Sequence, residues 1–210
     1  IPVVIHDSDL IRTTGIKGII SEKKYSEIKS LNAKNNFQNL TGHFRIPTLD
    51  EILIRYKDKA HLHLELKSRD QDLSEIVFNF LKEFKWLSSK KKIFEPGGLT
   101  ISSFYIEQLM RFNHFTKDEN SAWLLEKITH NDLDICKSNE IDLICPRALH
   151  ANHKMVSEAL EKNILVRNWG VSSEKDLINA YNSGSKGTTV DWPTKGKEMI
   201  SNYENNKISN

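Results

Sequence analysis

The chain has 210 residues, of which 38% are hydrophobic and 28% charged, and its formal net charge is +2. Those proportions exclude a disordered chain; at this length a single core buries roughly 70% of the unfolded surface. A net charge of +2 is too small for a nucleic-acid binder, which shows a concentrated basic stripe, and no apolar run approaches the ~20 residues that span a bilayer.

The chain opens at Ile1 inside an extended run and without Met, so further residues are expected upstream. The first extended candidate is Pro2–His6, which ends on His6-Asp7. Residues 8–46 hold few apolar runs and several turn formers, among them Gly15, Gly18, Asn35, Asn36 and Gly42. They read as an excursion, with a short helix near Lys23–Leu31. A helix start follows at Pro47-Thr48-Leu49-Asp50-Glu51, where Thr48 and Glu51 have capping-box spacing and each side chain can satisfy a free N–H of the first turn.

From there short apolar runs alternate with helical patterns. The extended candidates are His61–Leu66, Leu99–Phe104, Ala122–Leu125, Ile141–Cys145, Ile164–Trp169 and Gly187–Val190. The clearest helix runs from Leu73 to Trp86, with Leu73, Ile76, Val77, Phe80, Leu81 and Phe84 on one face. The basic run Lys90-Lys91-Lys92 after it reads as a solvated loop. A helix is expected over His153–Lys162, and another begins at Ser173 and Asp176, ahead of Leu177–Ala180. The polar end, Asn205 to Asn210, is expected to fray. Cys136 and Cys145 make no disulfide framework and fit no metal-binding spacing, which favours a reducing, cytoplasmic compartment.

Strand then helix, repeated after residue 47, predicts a parallel sheet with helical crossovers. A barrel of eight such units needs ~250 residues. The expected architecture is therefore α/β, a TIM-type barrel that lacks about its first two strands in this chain. Residues 1–196 would form it, with 8–46 inserted, and 197–210 would be a helix end and tail.

The strand His61-Leu62-His63-Leu64-Glu65-Leu66-Lys67 is the most informative. Alternate side chains face opposite ways, so the leucines take one face and His61, His63, Glu65 and Lys67 the other. In a barrel the polar set points inward, where charges are costly unless paired or metal-bound. Glu65 and Lys67 end the strand on the side where barrel enzymes place their sites. The pattern alone also allows a Glu–Lys pair on a solvent-facing edge strand. His6, after an apolar run, suits a general acid or base, or a ring that is merely hydrogen-bonded. Trp169 is either an apolar wall for a ligand or core. Asp191 reads as a cap for the next turn.

Taken together and in this order, these segments resemble the glycerophosphodiester phosphodiesterase family. His6-Asp7-Ser8-Asp9-Leu10-Ile11-Arg12-Thr13-Thr14 is similar to its His-Asp followed by Leu-x-Arg-Thr-Thr, and Ile46 to Leu53 to its Ile-Pro-Thr-Leu-Glu-Glu-Val-Leu. Glu65-Leu66-Lys67 resembles its Glu-x-Lys strand and Ser103-Phe104 its Ser-Phe strand end. Trp169-Gly170-Val171-Ser172 resembles Trp-Thr-Val-Asn, and Val190-Asp191-Trp192-Pro193 resembles Thr-Asp-Tyr-Pro. The likeness spans most of residues 1–193 and is weak from about Tyr105 to Leu160.

The resemblance implies metal-dependent hydrolysis of a small glycerophosphodiester to glycerol 3-phosphate and an alcohol. Glu65 would ligate a divalent cation, Ca²⁺ or Mg²⁺, which suits carboxylate oxygens. Lys67 would contact the phosphate, and His6 would be one of two acid–base histidines. Phe104 and Trp169 would line the glycerol side. In the family the glycerol hydroxyl attacks phosphorus and water opens the cyclic phosphate that results. The family's first-strand His-Arg and second-strand Glu-x-Asp do not occur in this chain and are expected upstream of Ile1. Without them the expectation is an inactive chain with an exposed parallel edge. Two alternatives stay open. One is a related barrel phospholipase that stops at the cyclic product; the other is a non-catalytic barrel fragment.

Overall fold

Leucine-, isoleucine- and valine-rich runs must pair their backbone groups with one another when buried, and here they pair in parallel. The computed structural model describes residues 1–35, 37, 39–87 and 93–208. The expected loop at Lys90–Lys92, the turn former Asn36 and the last two residues of the tail lie outside the described residues.

The chain begins with two short helices, α1 (Ile11–Thr14) and α2 (Tyr25–Ile28). Then α3 (Leu49–Tyr56) leads into β1 (Leu62–Glu65), and α4 (Leu73–Glu83) into β2 (Leu99–Ser103). The alternation continues through α5 (Ile106–Phe115), β3 (Asn120–Leu125), α6 (His130–Ser138), β4 (Leu143–Pro146) and α7 (His153–Glu161). It closes with β5 (Leu165–Asn168), α8 (Glu174–Asn182), β6 (Gly187–Thr188) and α9 (Pro193–Ile208). The six strands lie in sequence order in one sheet, and every pairing is parallel. This is the α/β architecture of a TIM-type barrel, with β1 and β6 as sheet edges among the described residues.

The pleat sorts the side chains as the β1 pattern predicts. Leu62 and Leu64 join Leu99, Ile101, Trp123, Leu125, Ile144 and Val166 in the main core, against Leu49, Leu53, Val77, Leu81, Leu109, Phe112 and Leu133 of the helices. The opposite face carries a smaller apolar cluster of Ala122, Leu124, Leu143 and Cys145, with Leu165 and Trp169 packed on it. Residues on the same face in neighbouring strands pair directly, His63 with Thr100 and Glu65 with Ser102. The inner face is thus polar at the β1 edge and apolar toward β4.

Capping chemistry fixes where the helices begin. Thr48, Thr129 and Ser173 each form a capping box, with Glu51, Asp132 and Asp176 in reply. Asp176 accepts hydrogen bonds from Ser173 and Ser172 that hold its carboxyl below the ordinary range. The helix expected to reach Trp86 stops at Glu83, because Lys85 turns left-handed at φ 57°. Trp86 then folds back, fully buried, and donates its indole N–H to the Leu53 carbonyl at 3.0 Å.

Pro2–His6, expected as a strand, does not enter the sheet. Among the described residues its only ladder contact is an isolated antiparallel bridge from Val3 to Thr48, with Val4 donating to the Pro47 carbonyl at 2.8 Å. The cause is where its apolar residues are buried. Val3 and Ile5 pack on Leu10, Ile28 and Ile46, a cluster apart from the main core. The helix expected near Lys23–Leu31 shrinks to a 3₁₀ turn at Ile20–Glu22 and α2. The last strand, expected as Gly187–Val190, ends at Thr188. Among the described residues, no helix is long and apolar enough to cross a membrane.

Leu81 is fully buried in α4, whereas Ile54 on α3 is 63% exposed. Leu81→Ala is expected to cost about 2–5 kcal/mol through lost burial and a residual cavity. Ile54→Ala should stay within about 0.5 kcal/mol of the parent. Urea unfolding of both variants checks this, and equal losses would contradict the assignment of the core.

Candidate active site

Parallel strands all end on the same side, so the residues that follow β1, β2, β3, β4 and β5 gather on one rim. Glu65 ends β1, and Lys67, two residues on, points the same way. Their charges meet at 3.0 Å, with Glu65 26% and Lys67 35% exposed at the side chain. The rim is pinned by hydrogen bonds. Leu66 donates to the Ser102 carbonyl at 2.7 Å, and the buried Ser103 hydroxyl donates to the Leu66 carbonyl at 2.7 Å.

Phe104 follows β2 and Trp169 follows β5. In a flat sheet, strands three apart are separated by roughly 14 Å, at about 4.8 Å per step. Their rings nevertheless meet edge to face with centroids 5.2 Å apart. Trp169 also donates its indole N–H to the Leu125 carbonyl at the end of β3, at 2.9 Å. The sheet is therefore curled, and Trp169 reaches across the hollow it encloses. Of the predicted site residues, the structure brings Phe104 and Trp169 together, and Glu65 and Lys67 together.

His6 stands apart. Among the described residues, no hydrogen bond, ion pair or ring contact joins it to those four. Its Nδ1–H donates to Asp7 Oδ1 at 2.8 Å, and its side chain is 75% exposed. Asp7 in turn accepts two hydrogen bonds from the Arg12 guanidinium. Arg12 first, then His6, holds the Asp7 carboxyl well below the usual carboxylate range. A permanently ionised Asp7 fixes the His6 tautomer, leaving Nε2 as the free, proton-accepting nitrogen.

Below the rim, burial decides the protonation. His61 donates from Nδ1 to the Glu95 carbonyl at 3.2 Å and accepts from the Thr100 hydroxyl at Nε2, at 2.8 Å. The His63 ring lies 4.8 Å from it. Burial first, and then the Arg167 guanidinium, pushes His63 down to about 3; burial also lowers His61 and Arg167. These histidines are neutral near pH 7, and they form a packing and hydrogen-bonding layer beneath the charged rim. Cys136 and Cys145 are free and buried, and burial pushes both thiols up to about 12. Neither serves as a nucleophile at neutral pH.

The rim also holds residues that the sequence patterns did not single out. Glu126 follows β3, and Arg147 follows β4. The Arg147 guanidinium carbon sits 5.6 Å from the Trp169 ring centroid, and Arg147 pairs in parallel register with Trp169. Glu126 lies 3.7 Å from Arg147 and 3.9 Å from His150. The position rule that drew attention to Glu65, the polar residue closing an apolar strand, applies equally to both. A separate cavity of about 290 Å³, lined in part by Lys117, Asp142 and Lys162, lies at the opposite edge of the sheet. Barrel enzymes do not place their chemistry there.

Trp169→Phe removes the N–H that reaches Leu125 and keeps the ring contact with Phe104. The expected cost is about 1 kcal/mol, measured by urea unfolding. No loss would mean that the indole does not tether the rim.

Residues 1–195 match the family model for the glycerophosphoryl diester phosphodiesterase family. A glycerophosphodiester phosphodiesterase of Bacillus altitudinis is 26% identical over 208 residues, covering 93% of this chain and 79% of the relative. Among solved structures, an Oleispira antarctica phosphodiesterase in complex with the product sn-glycerol-3-phosphate superposes with a TM-score of 0.80 at 22% identity, covering 95% of this chain and 79% of that one. A glycerophosphodiester phosphodiesterase from Parabacteroides distasonis gives 0.77 at 19%, covering 96% and 79%. At such identities the superpositions establish the fold.

Proposed function

The chain belongs to the glycerophosphoryl diester phosphodiesterase family, and on that premise we propose that it hydrolyses glycerophosphodiesters to glycerol 3-phosphate and an alcohol. The observation that carries the proposal is the family match over residues 1–195, which takes in every residue given a role here. The product bound to the Oleispira antarctica structure supports the same reaction.

In this proposal Lys67 binds a non-bridging phosphate oxygen. Its Nζ carries three donors, and Glu65, at 3.0 Å, aims it from the strand end. Trp169 and Phe104 supply a wall at right angles for the carbon skeleton of the glycerol. His6 moves protons at Nε2. It is one of a pair: one histidine takes the proton of the attacking hydroxyl, and the other, protonated, gives the leaving alcohol oxygen the proton that it needs as the P–O bond breaks. Asp7 acts through His6 by holding Nδ1–H at 2.8 Å. The hydroxyl that attacks is that of the substrate's glycerol, and water then opens the cyclic phosphate.

A divalent cation, Ca²⁺ or Mg²⁺, is the expected helper. A hard cation such as Ca²⁺ takes about six to eight oxygen ligands. Among the described residues, no group of three or more His, Cys, Asp or Glu side chains converges. Glu65 offers one carboxylate, already paired with Lys67. These donors do not fit such an ion by themselves, and no step above is routed through it.

The test is an assay of the full-length gene product on glycerophosphocholine, with Ca²⁺, with Mg²⁺ and with chelator. Release of glycerol 3-phosphate is expected, and His6→Ala should lower it about 100-fold or more, the size of a lost acid–base group. Lys67→Ala should lower kcat/KM, and Asp7→Asn should lower kcat more than it raises KM. No release from any glycerophosphodiester under any condition sinks the proposal. Accumulation of a stable cyclic phosphate points to the lyase alternative. Turnover unaffected by chelator removes the cation from the reaction.

A further inference from the structure

Arg147 occupies a position that changes what the mouth of the site can accept. Its guanidinium lies over Trp169, 5.6 Å from the ring centroid, and its side chain remains 45% exposed. A glycine neighbour leaves the seat uncrowded. Gly170 has φ +68°, and a Cβ there would stand 3.2 Å from Arg147 Cγ. The partner carboxylate, Glu126, is 3.7 Å away, beyond hydrogen-bond distance, and its side chain is 58% exposed. His150, at 3.9 Å, faces the same carboxylate. Charge neutralisation of Arg147 is therefore loose, and its N–H fork stays available to a ligand.

A quaternary ammonium head group is normally recognised on an aromatic face, Trp above all. Here the indole that backs the glycerol in the proposed function already carries a cation, so an alcohol at the mouth meets the Arg147 guanidinium and not an open aromatic face. A second cation brought to that place meets like charge. A phosphate or carboxylate meets a planar fork of donors that matches it.

We propose that Arg147 is a specificity-determining residue that directs the site toward glycerophosphodiesters whose alcohol carries an anionic group, and away from choline. This rests on the hydrolytic function proposed above and deepens it.

The experiment compares kcat/KM of the full-length protein on glycerophosphoinositol 4-phosphate and on glycerophosphocholine, and calorimetric binding of the same two compounds. The wild type should favour the inositol phosphate compound. Arg147→Gln should move the ratio about tenfold toward choline, as expected for one partly solvated charge contact. Glu126→Gln, which loosens the hold on Arg147 without touching Trp169, should move it the other way. Added salt should shrink the wild-type preference and leave the Arg147→Gln ratio nearly constant. Turnover of both substrates at a ratio unchanged in Arg147→Gln overturns the specificity role and leaves the hydrolytic function standing. A wild type that prefers choline overturns it as well. Selective, Arg147-dependent binding of the anionic compound with no release from any glycerophosphodiester keeps the specificity role and fails the hydrolytic one.

Discussion

Most of what this molecule offers a substrate depends on one constraint, the curvature of an all-parallel sheet. Parallel strands deliver their ends to a common edge, but in a flat sheet Phe104 and Trp169 would stand too far apart to touch. The edge-to-face contact at 5.2 Å and the indole bond to Leu125 are both measures of the curl. Once the sheet curls, five strand ends share one small mouth. Residues far apart in sequence, from Glu65 to Trp169, come to share one rim. The small cluster of Ala122, Leu124, Leu143 and Cys145 on the inner face gives the curl an apolar lining, and the helices cover the outer one.

The inner face is layered by dielectric. Deeper in, His61 and His63 are kept neutral by burial and by the nearby Arg167. Charge is held at the rim, where water can reach it, in Glu65, Lys67, Glu126 and Arg147. This separation puts the three histidine and carboxylate positions of one heptapeptide, His61, His63 and Glu65, in different surroundings. Half-buried His61 holds the wall through Thr100 and the Glu95 carbonyl, with the His63 ring packed beside it. The one that ends the strand faces the solvent side.

The parallel repeat and the identity of the inward face were legible because period-two alternation is a local property. Leu62 and Leu64 against His63 and Glu65 announce their faces without any knowledge of partners. The segment Pro2–His6 shows the limit. It has the composition of a strand, but a strand is defined by what it pairs with. Half-buried Val3 and Ile5 pack on Leu10, Ile28 and Ile46, and the backbone bonds go to residues 47–49 instead. Lys85 is a second case. Nothing in its side chain signals a left-handed residue, and the stop of α4 comes from Trp86 turning back into the core.

The rim shows the same division between local and distributed information. Glu65 and Lys67 stood out because they break a leucine pattern, whereas Arg147 follows Cys145-Pro146 and Glu126 follows Leu125 in a stretch where no family motif drew attention. Their significance is pairwise. Arg147 matters because Trp169 is beneath it and because residue 170 has no Cβ to displace it. In the related motif the position after Trp is Thr, and here it is Gly. Seen in sequence alone, that change is a departure without a direction. In the folded chain its φ of +68° suits glycine, and a Cβ there would stand 3.2 Å from Arg147 Cγ, so the glycine lies beside the seat of the long cationic side chain from the neighbouring strand. A specificity difference built this way leaves the acid–base and phosphate-binding positions proposed above untouched, since neither His6 nor Lys67 contributes to the seat.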